Sequence, residues 1–362
     1  MLFDASDPLG PRFRDAIETE LTAAMAARRA DVAACDGALT TAVDLLTPLV
    51  IDGKHVRPAF VWWGHVAVAG EPSEPGRLLR LAASLDLLHA GLLAHDDLID
   101  DADTRRGRPS THKAIEALPS PANPPLGQAG ALIGGAWLMQ WSQQMADECG
   151  LSDDTRAVLD DLRSRVLTGQ MADAWAAAGL PLRGPSSSNQ TLLSPAAIVA
   201  EIGEFKTTSY TITGPLQLGA TVAGANARQL AALHDFGRPL GRAYQARDDM
   251  LGIFGDPAVT GKPVGDDLRQ GKLTMPVQAA LAMASPSDVA TLKAVLGDRM
   301  ASPDEVAAAI RIIADCGAAD HTERSIADDL ADALAALADA GLTADGVAGL
   351  TALAKTCIER DH

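Results

Sequence analysis

Apolar residues recur every three or four positions in long Ala- and Leu-rich segments from one end of the chain to the other. Alternating β-branched runs bounded by turns are hard to find, so the pattern predicts an all-α protein. Clusters of Gly, Pro and Ser at Gly70–Pro75, Pro119–Gly127, Leu180–Pro195, Gly255–Gly265 and Ser285–Ser287 divide it. The segments between them read as helices of about 12 to 28 residues. None of these breaks has the character of a domain linker. The stretches PSPANPP (119–125) and GPSSSNQ (184–190) read as surface connections. No fixed-period repeat is present. A helical bundle can absorb the whole length around one interior, so residues 1–362 are expected to form a single domain.

Composition narrows the function. With 47 acidic against 30 basic residues the formal charge is −17, which repels phosphate backbones and argues against nucleic-acid binding. Any anionic substrate must therefore be held locally. Cys35, Cys149, Cys316 and Cys357 stand far apart with no CxxC, which suggests neither a disulfide framework nor a zinc site and fits a reducing cytoplasm. The first residues carry no apolar signal core and no run of 18 apolar residues occurs. Secretion and membrane spanning are not expected.

Two acidic clusters change the picture. DDLIDDAD (96–103) follows the apolar run LDLLHAGLLAH, so a core helix enters a patch of carboxylates. Asp96 and Asp100 lie one turn apart with Asp97 between them in angle, which predicts three carboxylates converging within reach of hard cations. TRRGRP follows at once, and Arg105, Arg106 and Arg108 place guanidinium forks beside them. Carboxylate-bound Mg²⁺ with arginine forks describes a diphosphate site. Asp248 and Asp249 form a second pair on a downstream helix, and two such pairs suggest a metal clamp. Lys206, Lys262 and Lys272 offer point charges. Asp266 and Asp267 read as partners of a cation rather than metal ligands. Lys54 and Arg57, three residues apart at a helix start, share a face. His89, on an apolar helix about two turns before Asp96, reads by itself as a core residue.

Taken in order and spacing, GKHVRP, LLHAGLLAHDDLIDDADTRRG, GQMAD, EFKTTSYTITGPLQLGA and GRAYQARDDMLGIFGDP…GK resemble the trans-type polyprenyl diphosphate synthases, over about residues 50–275. The resemblance is nearest to bacterial geranylgeranyl and farnesyl diphosphate synthases. It implies an all-α isoprenoid synthase bundle around a deep central cavity, usually a homodimer. It further implies an enzyme that joins isopentenyl diphosphate to an allylic diphosphate, with Mg²⁺, three ions when substrate is bound. Asp96, Asp97 and Asp100 match its first aspartate-rich motif, and Asp248, with Asp249, the second. Arg105, Lys206 and Lys262 match positions that hold the allylic diphosphate. Lys54, Arg57, His89 and Arg106 match those for isopentenyl diphosphate. Thr207 and Gln245 match polar positions at the reacting centre, and Gln170 and Asp173 a supporting GQxxD pattern. Two departures stand out: Gly252 replaces the third carboxylate of the second motif, and Ala136 stands where an Asp commonly follows Gly. Asp256 cannot replace the missing group, because eight helical residues span about 12 Å.

The implied chemistry is ionisation of the allylic diphosphate, attack by the double bond of isopentenyl diphosphate, and proton loss to the released diphosphate. A class I terpene cyclase is disfavoured by Lys54, Arg57 and the Asp248–Asp249 pair. Intact Asp96, Asp97, Arg105, Arg106 and Lys206 disfavour a non-catalytic partner subunit, and a ferritin-like carboxylate bundle lacks its paired Glu-x-x-His motifs. Members of this family that stop short place an aromatic four or five residues before the first Asp. Leu92 and Gly91 stand there in this chain, so an open passage is expected, walled deeper by Leu88 and Ser84 and closed by Trp137 and Trp141 if their helix lines it. The expected product is geranylgeranyl diphosphate, with farnesyl or longer diphosphates as alternatives.

Overall fold

The computed structural model describes residues 1–119, 124–182, 194–255 and 264–359. The stretches 120–123 and 184–190, Asp256 and Lys262 lie outside them. The chain forms α1 (Pro11–Cys35), α2 (Thr40–Ile51), α3 (Val56–Ala69), α4 (Pro75–Ile99), α5 (Thr111–Glu116), α6 (Pro124–Asp147), α7 (Asp153–Ala177) and α8 (Pro195–Gly203). A π-helical segment (Glu204–Thr213) leads into α9 (Gly214–Val222) and α10 (Ala227–Phe254). Then come α11 (Asp266–Arg269), α12 (Met275–Met283), α13 (Pro286–Val295), α14 (Pro303–Asp315), α15 (Ala318–Ala336) and α16 (Ala344–Ile358). Among the described residues the extended pairing is one tiny antiparallel hairpin, β1 (Thr104–Arg105) with β2 (Arg108–Pro109). The all-α expectation holds.

Several of the predicted breaks are helix starts. At Ser194 and Ser285, and at Ser302 where no break was predicted, the hydroxyl accepts a backbone N–H of the first turn while the next residue is proline, whose missing N–H costs nothing there. Ser302 and Glu305 complete a reciprocal capping box.

The helices group into two compact units, each assembled from separated segments: residues 1–156, 215–226 and 342–353, and residues 157–214, 227–341 and 354–362. In the first unit α3 is buried on nearly every face, including Phe60, Trp62 and Trp63. Gly219 of α9 allows this close packing, since a Cβ there would overlap the Val61 carbonyl. α4 is long and apolar enough to cross a membrane, but 78% of its most apolar stretch is buried inside the protein, as in a core helix. In the second unit Ile253, Leu268, Val277, Leu292, Val306 and Ile313 form a core under the end of α10. Arg247 of α10 reaches both carboxylate oxygens of Glu323 on α15, at 2.7 and 2.8 Å.

Candidate active site

The first aspartate cluster sits where α4 runs out of the core of the first unit. Asp97 is fully buried, and Arg105 Nε donates to its Oδ1 at 2.8 Å while the Arg105 Nη2 reaches the same oxygen. The Asp96 carboxylate lies 4.0 Å from that nitrogen. Arg105 returns to α4 because the chain reverses at Arg106–Gly107, both with positive φ as a type I′ hairpin turn requires. Glycine adopts that conformation freely; Arg106 does so under strain. Burial opposes the Arg105 charge, and the hydrogen bond to Asp97 with the charges of Asp97, Asp96 and Asp100 more than offsets it, raising its pKa.

The three carboxylates therefore do not form one open face, which corrects the sequence expectation. Asp97 turns into the protein to meet Arg105, while Asp96 and Asp100 are partly exposed. Among the described residues no three His, Cys, Asp or Glu side chains could cage a cation unaided. Mg²⁺ does not demand a cage, being commonly held by one or two carboxylates with waters and substrate phosphates. The donors fit that ion: Asp96 and Asp100 are hard carboxylates, partly exposed and one turn apart at the end of α4.

The cations gather beside this cluster. The pKa of His89 is pushed well below the usual value by burial and then by the charges of Arg57, Arg106 and Arg105. The charges of three arginines thus act on one imidazole, a concentration of positive charge suited to a polyanion. Arg106 donates to the backbone carbonyls of Asp52 and, at 3.4 Å, Leu49, at the end of α2. Lys54 is exposed and Arg57 partly buried at the start of α3. Sequence reasoning passed over His55, between them. It has a left-handed backbone (φ 53°), and its Nδ1 pairs with Asp86 Oδ2 at 2.6 Å inside the protein.

In the second unit the π-helical segment presents Lys206 and Thr207. Its wider turn shows in the Gly214 N–H, which bonds to the Ser209 carbonyl five residues back. Lys206 Nζ pairs with Asp173 Oδ2 at 2.7 Å, which gives the Asp of GQMAD its supporting role. Thr207 Oγ1 donates to Gln245 Oε1, and Gln245 Nε2 donates to Asp249 Oδ1 at 2.7 Å. The other oxygen of Asp249 accepts the Met275 backbone N–H, the first residue of α12, at 3.0 Å. Both oxygens of Asp249 are thus engaged in holding the protein together, a correction to its reading as a metal ligand. Burial pushes its pKa up to about 6 against those two hydrogen bonds, with the charges of Asp267 and Asp248 adding to the rise. Asp248 is the partly exposed member of the pair. A Cβ at Gly252 would overlap the Asp267 carboxylate, so an acidic group from α11 already fills the place beside Gly252. Asp267 also meets Lys272 at 3.7 Å, as its reading as a cation's partner requires.

Among the chain-length residues Gly91 needs a third correction. Gly91 leaves no passage: a Cβ there would stand 2.7 Å from the Gly135 carbonyl and 2.8 Å from Met139 Cγ of α6. It is the glycine that lets α4 and α6 cross closely. Leu92, Leu88 and Ser84 are buried on α4. Trp137 and Trp141 stack with centroids 5.6 Å apart. They continue the face of α6 that carries Gly130 and Gly134, against Ile115 and Leu46, turned away from the Gly135–Met139 face that meets α4. Trp141 is buried there and Trp137 only partly so. Ala136 is exposed, and nothing in the structure explains it.

A family model described as polyprenyl synthetase matches residues 41–313. A short chain isoprenyl diphosphate synthase of Methanothermobacter thermautotrophicus is 30% identical over 86% of this chain and 87% of its own. A geranylgeranyl diphosphate synthase of Mycobacterium tuberculosis is 33% identical over 82% and 78%. The crystal structure of geranylgeranyl pyrophosphate synthase from Corynebacterium glutamicum, complexed with isoprenyl diphosphate and magnesium, superposes with a TM-score of 0.87 at 33% identity, covering 99% of this chain and 100% of that one.

Proposed function

The chain belongs to the polyprenyl synthetase family and is a transferase that makes prenyl diphosphates with a divalent metal, and from that premise we propose that it extends an allylic diphosphate with isopentenyl diphosphate to geranylgeranyl diphosphate. The observation that carries the reading is Arg105, held on buried Asp97 and beside Asp96 at the end of α4, so that a fixed guanidinium stands next to partly exposed carboxylates. A guanidinium so placed suits a metal-bound diphosphate.

Asp96, Asp100 and Asp248 are the carboxylates we assign to Mg²⁺, three ions with substrate bound, with Asp97 fixing Arg105 beside them. Bound Mg²⁺ supplies Lewis-acid stabilisation of the leaving diphosphate. By the resemblance we assign Arg105, held on Asp97, and Lys206, held on Asp173, to the allylic diphosphate, where fixed positive charge would supply the electrostatic preorganisation that dominates such steps. Lys262 is assigned the same role by resemblance. Lys54, Arg57, His89 and Arg106 hold isopentenyl diphosphate. Thr207 and Gln245, joined by a hydrogen bond, present oxygen dipoles to the allylic cation. No side chain is assigned as a general base, and the proton lost after condensation goes to the released diphosphate.

Aliphatic Leu92 and Leu88 support the twenty-carbon product, since no aromatic stands on α4 at that level. Exposed Leu132 and Ile133, adjacent on α6, support a homodimer. Cys35, Cys149, Cys316 and Cys357 form no disulfide, which supports a cytoplasmic location. The test is incubation of the purified protein with isopentenyl diphosphate and each allylic primer, with products identified by mass spectrometry. A C20 diphosphate is expected; a product that stops at ten or fifteen carbons with every primer overturns the length, and a cyclised hydrocarbon overturns the reaction.

A further inference from the structure

His55 and Asp86 are an expensive feature for the protein to keep. Both are almost wholly buried, at 2% and 6% exposure, and a buried ionisable pair must offset its own desolvation. His55 also holds a left-handed backbone that side chains other than glycine rarely adopt, and its Nε2 is buried without a hydrogen-bond partner, with Glu18 Oε1 at 3.6 Å. A fold seeking only stability would put glycine at the turn and apolar groups beneath it.

The pair's neighbours give the reason. His55 lies directly between Lys54 and Arg57 in the chain and opens α3 as its N-cap residue. Asp86 stands one turn before His89 on α4, and its charge also acts on Arg106. The loop at residues 52–55 is gripped from the other side by Arg106 on the Asp52 carbonyl and by Arg108, whose Nη2 meets Asp52 Oδ2 at 3.1 Å. One short contact of 2.6 Å therefore ties the segment bearing Lys54 and Arg57 to the helix bearing His89.

We infer that the His55–Asp86 pair is the positioning device of the isopentenyl diphosphate pocket. It sets the spacing of Lys54, Arg57 and His89 and so governs affinity for that substrate, without touching it and without acting in the allylic site. The inference rests on the assignment of those three residues made under Proposed function.

The test measures the dissociation constant of isopentenyl diphosphate alone, which is not consumed without a primer, and the Michaelis constants of both substrates. The variants are His55→Gln, Asp86→Asn, their double variant, and Arg57→Ala. Each single variant is expected to weaken isopentenyl diphosphate binding about tenfold, with kcat and the primer's Michaelis constant changed by less than about twofold. The double variant is expected to bind no worse than either single one, because both break the same link. If Arg57→Ala weakens isopentenyl diphosphate selectively while the pair's variants do not, the positioning role is overturned and the pocket assignment stands. If Arg57→Ala affects both substrates alike, the pocket assignment itself fails. Equal losses for both substrates in the pair's variants, multiplying in the double variant, would mean a general structural role and would also overturn the inference. Should one single variant fail to fold, the other reads the same link.

Discussion

At the scale of single residues the consequences turn on which partner a buried group has. Asp97 is fully buried against Arg105, so Arg105→Ala leaves a carboxylate uncompensated and should cost about 3 kcal/mol of stability. Turnover should fall by orders of magnitude, through lost stabilisation of the departing diphosphate; denaturant unfolding and steady-state kinetics read the two effects. His89 carries a pH dependence of known sign. Its folded pKa is depressed, so below about pH 6.5 the unfolded chain takes up a proton that the folded imidazole refuses. Its contribution to stability is whole above that pH and shrinks as pH falls, by at most about 1.4 kcal/mol per unit. The substrate-free His89→Gln protein should lose less stability than wild type between pH 7 and 5.5. Leu92→Phe should shorten the product by filling α4 at the level four residues before Asp96. Gly91→Phe should instead destabilise the protein, since its space belongs to α6. Leu92→Phe with an unchanged product distribution would remove Leu92 from the wall.

At the scale of elements, α10 and α11 meet at Gly252, beside the Asp267 carboxylate. The sequence shows Gly252 where a third carboxylate is expected and suggests that Gly252→Asp would tighten metal binding. With the Asp267 carboxylate in that space the opposite is expected: Gly252→Asp forces two like charges together, lowers the melting temperature and leaves Mg²⁺ affinity no better. In an Asp267→Asn background the same change should be tolerated. Calorimetric titration of Mg²⁺ with inorganic pyrophosphate, beside thermal melts of the four proteins, reads this cycle; equal penalties in both backgrounds would show that the two positions do not interact. None of this was visible in the one-dimensional pattern, because Asp267 reaches α10 from an element fifteen residues away. The same holds for Asp249. Its pairing with Asp248 reads as a two-carboxylate ligand, but one face of α10 is buried, and there it caps α12 through the Met275 N–H.

At the scale of the whole molecule, chelation of divalent cations should abolish turnover while leaving the fold intact, and added Mg²⁺ should restore it; activity persisting in chelator would end the metal-assisted mechanism. Charging the exposed α6 patch by Leu132→Glu and Ile133→Glu should convert the proposed dimer to monomer by light scattering. The sequence by itself determined the all-α class, capped helix starts at the Leu180–Pro195 and Ser285–Ser287 breaks, and the motifs by which the chain resembles its family. These are local facts: periodicity, caps and motif spacing are fixed by residues within a few positions of one another. Tertiary structure alone decided which carboxylates are spoken for, what fills the place beside Gly252, that Gly91 is a packing glycine, and that His55 and Asp86 stand behind the arginine pocket. Each of these depends on a partner brought in by helix packing from tens of residues away, or across a loop, and a burial cost or a hydrogen bond is defined only once that partner has arrived.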